Sequence, residues 1–234
     1  MLIGGILDIS TIDFPGKLCS VIFLSGCPFR CPFCHNHELL NKGTKASVDD
    51  IVKKVSENYL IDGVCITGGE PLMQAEELLE LCKKLKDVGF AVKLDTNGYF
   101  TKRLASVLEK VDYVAIDVKT TFEKYDRLVK CKGAAERVRK SVELLANSGI
   151  EFEARTTVVP TLVEEKDVLE IAEFLGSVGV KKYVLQQFRN ENTLDESLRK
   201  VKPPSKERLI EIAEKVRDFV ECLRVRCEDG EVDV

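Results

Sequence analysis

Three cysteines carry the clearest chemical signal in the chain. Cys27, Cys31 and Cys34 lie in GCPFRCPFCHN, with three residues between the first pair and two between the second. Thiolates so close in sequence converge on one centre only if their loop wraps around it. Pro28 and Pro32 restrict that wrap, and Gly26 lets the backbone turn. Zinc asks for four ligands, usually as paired knuckles or with a distant histidine pair, whereas the two histidines here, His35 and His37, crowd directly after Cys34. A fully ligated ferredoxin-type cluster needs a fourth cysteine at other spacings, which this segment lacks. The favoured reading is a 4Fe-4S cluster held by three cysteines with one iron left open; zinc and plain buried thiols are the alternatives.

Further polar residues recur where strands are expected to end. Gly68-Gly69-Glu70-Pro71 offers a backbone that a ligand can approach and a carboxylate able to receive an ammonium. Asp95, in Asp95-Thr96-Asn97-Gly98, and Asp117, in Asp117-Val118-Lys119, put two carboxylates at neighbouring strand ends, where they repel unless a cation or ligand ammonium sits between them. Helix capping is the simpler use of either aspartate. Arg155 suits a carboxylate partner or a surface ion pair. Asp13 and Gly16, in TIDFPG, fit a turn that clamps an extended peptide, or a turn alone.

These residues need a scaffold, and the apolar pattern supplies one. Short apolar runs at 19–26, 64–69, 90–98, 112–119, 151–159 and 182–188 alternate with amphipathic stretches at 48–60, 74–89, 102–111, 135–149 and 165–179. Strand then helix, about six times over, gives parallel β/α units. Six units fall short of a closed eight-unit barrel, so the expected fold is α/β, a partial (β/α)6 TIM-like barrel with its active face at the strands' C-terminal ends. One domain spans 1–234, with a core of about 17–190 and a helical tail of about 203–234 whose last helix covers 205–223. The polar stretch 189–204 reads as a loop.

Composition narrows the function classes. The chain has 234 residues, 44% of them hydrophobic, and 35 Lys and Arg against 39 Asp and Glu, a net charge of −4. Interspersed charge does not suggest nucleic acid as a partner, and no apolar run is long enough for a membrane span. The start, MLIGGILDIS, has no signal-peptide pattern, and a cytoplasmic protein is expected. There nine cysteines point to metal or redox chemistry rather than to a disulfide framework. Cys19, Cys65, Cys82 and Cys131 have no ligand spacing, and Cys222 and Cys227 are too few for a second cluster.

C-x3-C-x2-C with Phe33 before its last cysteine resembles the signature of the radical S-adenosylmethionine (SAM) superfamily. The stretch TIDFPGK…FLSGCPFRCPFCHN (11–36) is similar to the glycyl-radical-enzyme activating proteins, most of all the activators of anaerobic ribonucleotide reductase, and also to pyruvate formate-lyase activators. Phe188 stands where the latter have a histidine, which favours the former. The resemblance implies that Cys27, Cys31 and Cys34 hold the 4Fe-4S cluster and that SAM binds its open iron. It places Phe33, Gly68, Gly69, Glu70, Asp95, Asn97, Lys119 and Arg155 around SAM, Asp95 and Asp117 at a monovalent cation, and Asp13 and Gly16 at the partner's glycine loop. It assigns no catalytic residue beyond the cluster and SAM. The implied partners are a glycyl radical enzyme, anaerobic ribonucleotide reductase foremost, and a reducing donor such as flavodoxin or ferredoxin. Competing expectations are a small-molecule substrate, as in 7-carboxy-7-deazaguanine synthases, and a non-enzymatic iron-sulfur electron carrier.

Overall fold

A computed structural model describes all residues, 1–234, and the chain divides into two compact units. The first comprises 1–28 and 38–115, the second 29–37 and 116–234. The first contains β1 (Leu2–Ser10), β2 (Cys19–Leu24), β3 (Thr44–Lys45), α1 (Val48–Ser56), β4 (Gly63–Gly68), α2 (Ala75–Asp87), β5 (Ala91–Thr96) and α3 (Thr101–Val107). The next strand, β6 (Tyr113–Asp117), begins in the first unit and ends in the second. The second unit continues with α4 (Phe122–Val129), α5 (Ala134–Ala146), β7 (Glu151–Val158), α6 (Glu165–Ser177), β8 (Lys182–Gln187), α7 (Lys206–Glu214), β9 (Cys222–Cys227) and β10 (Gly230–Asp233).

Both units are α/β with mainly parallel strands. In the first, the strand order is β3-β1-β2-β4-β5, with β2, β4 and β5 parallel and β1 antiparallel to β2. Val64, Cys65 and Ile66 are wholly buried in succession, as a strand covered on both faces requires. In the second, β7, β8 and β9 are parallel and β10 closes an antiparallel hairpin on β9. Caps fix the helix starts: Ser47 accepts the Asp50 amide, Ser205 accepts the Arg208 amide, and Glu164 with Asp167 forms a reciprocal box.

All six expected strands form, within about two residues of their expected ends. Three further features differ from the sequence reading. β1 pairs along β2 although its Gly4-Gly5 interrupts the apolar run and Leu7 and Ile9 stay exposed. α4 is a helix of eight residues, ended by Lys130 in the left-handed region at φ 52°. The tail is not wholly helical: α7 ends at Glu214, and CLRVRC (222–227) is a strand. Leu223, Val225 and Cys227 are buried while the residues between them are half-exposed, a two-residue alternation that the helical reading ran across.

Leu223 is therefore core rather than tail. Leu223→Ala is expected to cost about 2–5 kcal/mol, read as a lowered urea midpoint at unchanged slope. A loss below about 0.5 kcal/mol, the usual size for an exposed position, would contradict the strand.

Candidate functional site

In the first unit the site begins where β2 stops. The Gly26 amide donates to Leu39 O at 2.8 Å, and Gly26 adopts φ +92°. Gly68 and Gly69, at the end of β4, pack onto this turn: the Gly69 amide donates to Leu24 O and the Glu70 amide to Gly26 O, both at 2.7 Å. A Cβ on Gly68 would lie 2.3 Å from Leu24 O, and one on Gly69 would lie 2.2 Å from Gly26 O. The two glycines are thus required by the chain's own backbone. Gln74 ties in the same turn, donating from Nε2 to Leu2 O at 2.9 Å and Ser25 O at 3.1 Å.

Glu70 is wholly buried and its carboxylate accepts from three neutral donors. Oε1 accepts the Leu72 amide at 3.1 Å and the Thr96 hydroxyl at 2.8 Å; Oε2 accepts the Asn97 amide at 2.7 Å. It joins the turn after β4 to the turn after β5, where the sequence suggested a receptor for an ammonium. Asn97 in turn donates from Nδ2 to Cys27 Sγ at 3.5 Å, while its Oδ1 accepts the Tyr99 amide at 3.0 Å. Asp95 forms an ion pair with Lys93, which is buried and also reaches Cys65 Sγ at 3.7 Å. Asp13 is tied locally, accepting the Ser10 hydroxyl at 2.6 Å, and Gly16 turns the chain at φ +73°.

In the second unit the other two cysteines of the motif meet a cationic environment. Burial pushes the Cys31 thiol up to about 11, against the pull of the Lys119 ammonium. Burial likewise raises Cys34, again opposed by Lys119. Lys119 Nζ lies 6.0 Å from the centroid of the buried Phe33 ring. Asp117 sits between two cations, accepting from Lys119 Nζ and from Arg155 Nε, each at 3.0 Å. Although burial disfavours its charge, Lys119 and Arg155 hold the carboxyl at about 2. Tyr125 links this strand end to α4, its hydroxyl donating to Asp117 O at 3.2 Å and accepting the Lys119 amide at 3.3 Å. Neither aspartate caps a helix, since Phe100 and Thr121 hold the N-cap positions of α3 and α4.

The polar stretch after β8 straps the second half of the cysteine loop. The Asp195 amide donates to Pro32 O at 2.8 Å and Asn192 Nδ2 to His35 O at 3.0 Å. His35 Nε2 donates to Arg189 O at 2.8 Å, and His37 Nε2 faces Asn192 Oδ1 at 3.1 Å. Sequence reading missed Gln74, Lys93, Tyr125 and Asn192. Of these, only Lys93 left a legible trace, as a charge inside an apolar strand run.

The donor chemistry fits an iron-sulfur cluster. All nine cysteines are unbridged, an amide faces Cys27, and a lysine charge favours thiolate at Cys31 and Cys34. No group of three or more His, Cys, Asp or Glu side chains is arranged for a single metal ion. No helix is long and apolar enough to cross a membrane.

Comparison with known proteins shows what the chain as a whole is similar to. The family model of the Radical SAM superfamily matches residues 21–175. A Methanocaldococcus jannaschii protein named as a glycyl-radical enzyme activating enzyme is 33% identical over 240 residues, covering 100% of this chain and 99% of its own. The pyruvate formate-lyase-activating enzyme of Clostridium pasteurianum is 27% identical, covering 94% of this chain and 100% of its own. Among solved structures, a domain of a Bacteroides vulgatus pyruvate-formate lyase-activating enzyme superposes with a TM-score of 0.58 at 19% identity, over 70% of this chain and 98% of that one. A radical SAM methyltransferase from Sphaerobacter thermophilus gives 0.67 at 15% identity, over 93% and 68%. These two similarities speak to the fold.

The paired cations set an acid limit on stability. Because the Asp117 carboxyl is held below its ordinary 3.8, its stabilisation is complete above that value and is lost as pH falls through about 2. The contribution is on the order of 2 kcal/mol at neutral pH. Asp117→Asn is expected to cost about 3 kcal/mol at pH 7, by removing the carboxylate that Lys119 and Arg155 share, and to flatten this part of the acid limb. Denaturant midpoints between pH 5 and 2 check this, and parallel curves for the two proteins would contradict it.

Proposed function

The chain belongs to the radical SAM superfamily, as an enzyme of the glycyl-radical-enzyme activating type, and from that premise we propose that it generates a glycyl radical on a partner enzyme. Family membership implies a 4Fe-4S cluster and SAM as cofactors. The observation that carries the proposal is the C-x3-C-x2-C loop in a chain aligned end to end with a relative named for glycyl-radical enzyme activation. The chemistry that a bound cluster would supply is one-electron reduction of SAM, which would give methionine and a 5′-deoxyadenosyl radical able to take hydrogen from a glycine Cα of the partner.

The chain's own residues bind, orient and neutralise. Cys27, Cys31 and Cys34 hold the cluster, with Asn97 donating to the first and Lys119 supplying positive charge to the other two. Phe33 offers a buried aromatic face to the adenine. Lys119 and Arg155 are cations suited to the SAM carboxylate. Gly68, Gly69 and Glu70, the proposed SAM contacts, also build the turns beside Cys27. Asp95, paired with Lys93, and Asp117, paired with Lys119 and Arg155, are the proposed ligands of a monovalent cation.

The partner is assigned as a glycyl radical enzyme. The preference for anaerobic ribonucleotide reductase rests on the likeness of the stretch 11–36 and on Phe188, which is buried just beyond β8 and has a packing reason of its own. Asp13 and Gly16 are the proposed contacts for the partner's loop, flavodoxin or ferredoxin the proposed class of electron donor, and the cytoplasm the proposed location.

Anaerobic cluster reconstitution followed by reduction with SAM tests the assignment. The expected product is 5′-deoxyadenosine, falling to background in Cys31→Ala. Incubation with pyruvate formate-lyase or anaerobic ribonucleotide reductase is expected to add a glycyl radical signal by electron paramagnetic resonance. No 5′-deoxyadenosine from the wild type would sink the proposal, and nucleoside without a glycyl signal on either partner would overturn its protein-substrate part.

A further inference from the structure

Asn97 is held more firmly than a turn asparagine requires. It lies after β5 with its residue 5% exposed, and its backbone amide donates to Glu70 Oε2. The Thr96 hydroxyl donates to Glu70 Oε1 and accepts the Gly98 amide at 3.1 Å, so the residues on either side are pinned as well. The orientation of the side-chain amide follows from its partners. Tyr99 N–H can only donate, so the atom that receives it is the carbonyl oxygen, and the NH2 group faces Cys27 Sγ at 3.5 Å.

From this geometry we propose that Asn97 is a positioning residue for the cluster's electronics, its amide N–H donating to the Cys27 thiolate and raising the cluster's reduction potential. The inference deepens the reading that Cys27 is a cluster ligand and rests on it. A donor aimed at a ligating sulfur withdraws electron density and stabilises the reduced state more than the oxidised one. The three thiolates are also served differently. Cys31 and Cys34 feel the Lys119 charge, whereas Asn97 is a neutral donor that adjusts Cys27 without adding charge. Asn97 therefore acts on the cluster's sulfur, a role additional to the SAM contact that the sequence resemblance implies for it.

The test is a redox titration of the reconstituted cluster without SAM, monitored by electron paramagnetic resonance, with iron and sulfide measured on each sample. Asn97→Ala is expected to keep wild-type iron and to lower the ratio of reduced to oxidised cluster at fixed poise by up to tenfold, which for one electron is a shift of about 59 mV. Asn97→Asp preserves the volume and the oxygen that receives the Tyr99 amide but presents an acceptor to the thiolate, so its decrease is expected to be the larger. Wild-type iron with an unchanged midpoint in Asn97→Asp would overturn the proposal, whatever the alanine variant does. Failure of the underlying reading looks different: the wild type would assemble no four-iron cluster, or Cys27→Ala would keep its full iron.

Discussion

The close approach of Gly69 to the Gly26 carbonyl is the constraint from which the arrangement around Cys27 in the first unit follows. Two amides, from Gly69 and Glu70, donate at 2.7 Å into carbonyls of the segment that leads to Cys27. Only residues without a Cβ fit at 68 and 69, because the atoms in the way are backbone oxygens that have no rotamer to change. Once that contact is made, Glu70 is carried inside, where a buried carboxylate is tolerable only if its oxygens are satisfied. Thr96 and the Leu72 and Asn97 amides satisfy them and thereby fix the turn after β5. The asparagine that faces Cys27 is the last link of this chain of contacts.

The second unit solves a different problem, that of placing charge next to buried thiols. Cys31 and Cys34 resist ionisation where they lie, and a cation nearby offsets that resistance. Lys119 supplies it, and Asp117 holds Lys119 while sharing its other oxygen with Arg155. Asn192, Arg189 and Asp195 hold the loop itself through His35, His37 and Pro32. Polar residues that looked like a surface loop therefore have a structural task in the site.

Much of this was legible in the sequence, and what was not has physical reasons. The six strands announced themselves by burial on both faces, which leaves continuous apolar runs. β9 was obscured because CLRVRC follows a strong helical period, and β1 because its glycines and exposed leucine break the alternation. The cysteine spacing identified the cluster loop, since ligand geometry leaves a local imprint. The task of Glu70 was hidden because hydrogen bonds from Thr96 and Asn97 are long-range and leave no spacing rule. Lys93 with Asp95 was missed for the same reason that a charged residue in a strand is normally read as solvent-facing.

Backbone contact at Gly69 places the cluster loop, and the iron content of Gly69→Ala is the measurement that decides it. A methyl group there must displace the Gly26 carbonyl and with it the approach to Cys27. The variant is expected to fold, by circular dichroism, and to retain less than about half of the wild-type iron and sulfide after reconstitution, in keeping with the tenfold or greater losses of metal affinity that follow when supporting contacts are removed. Full iron and sulfide in a folded Gly69→Ala protein would contradict it.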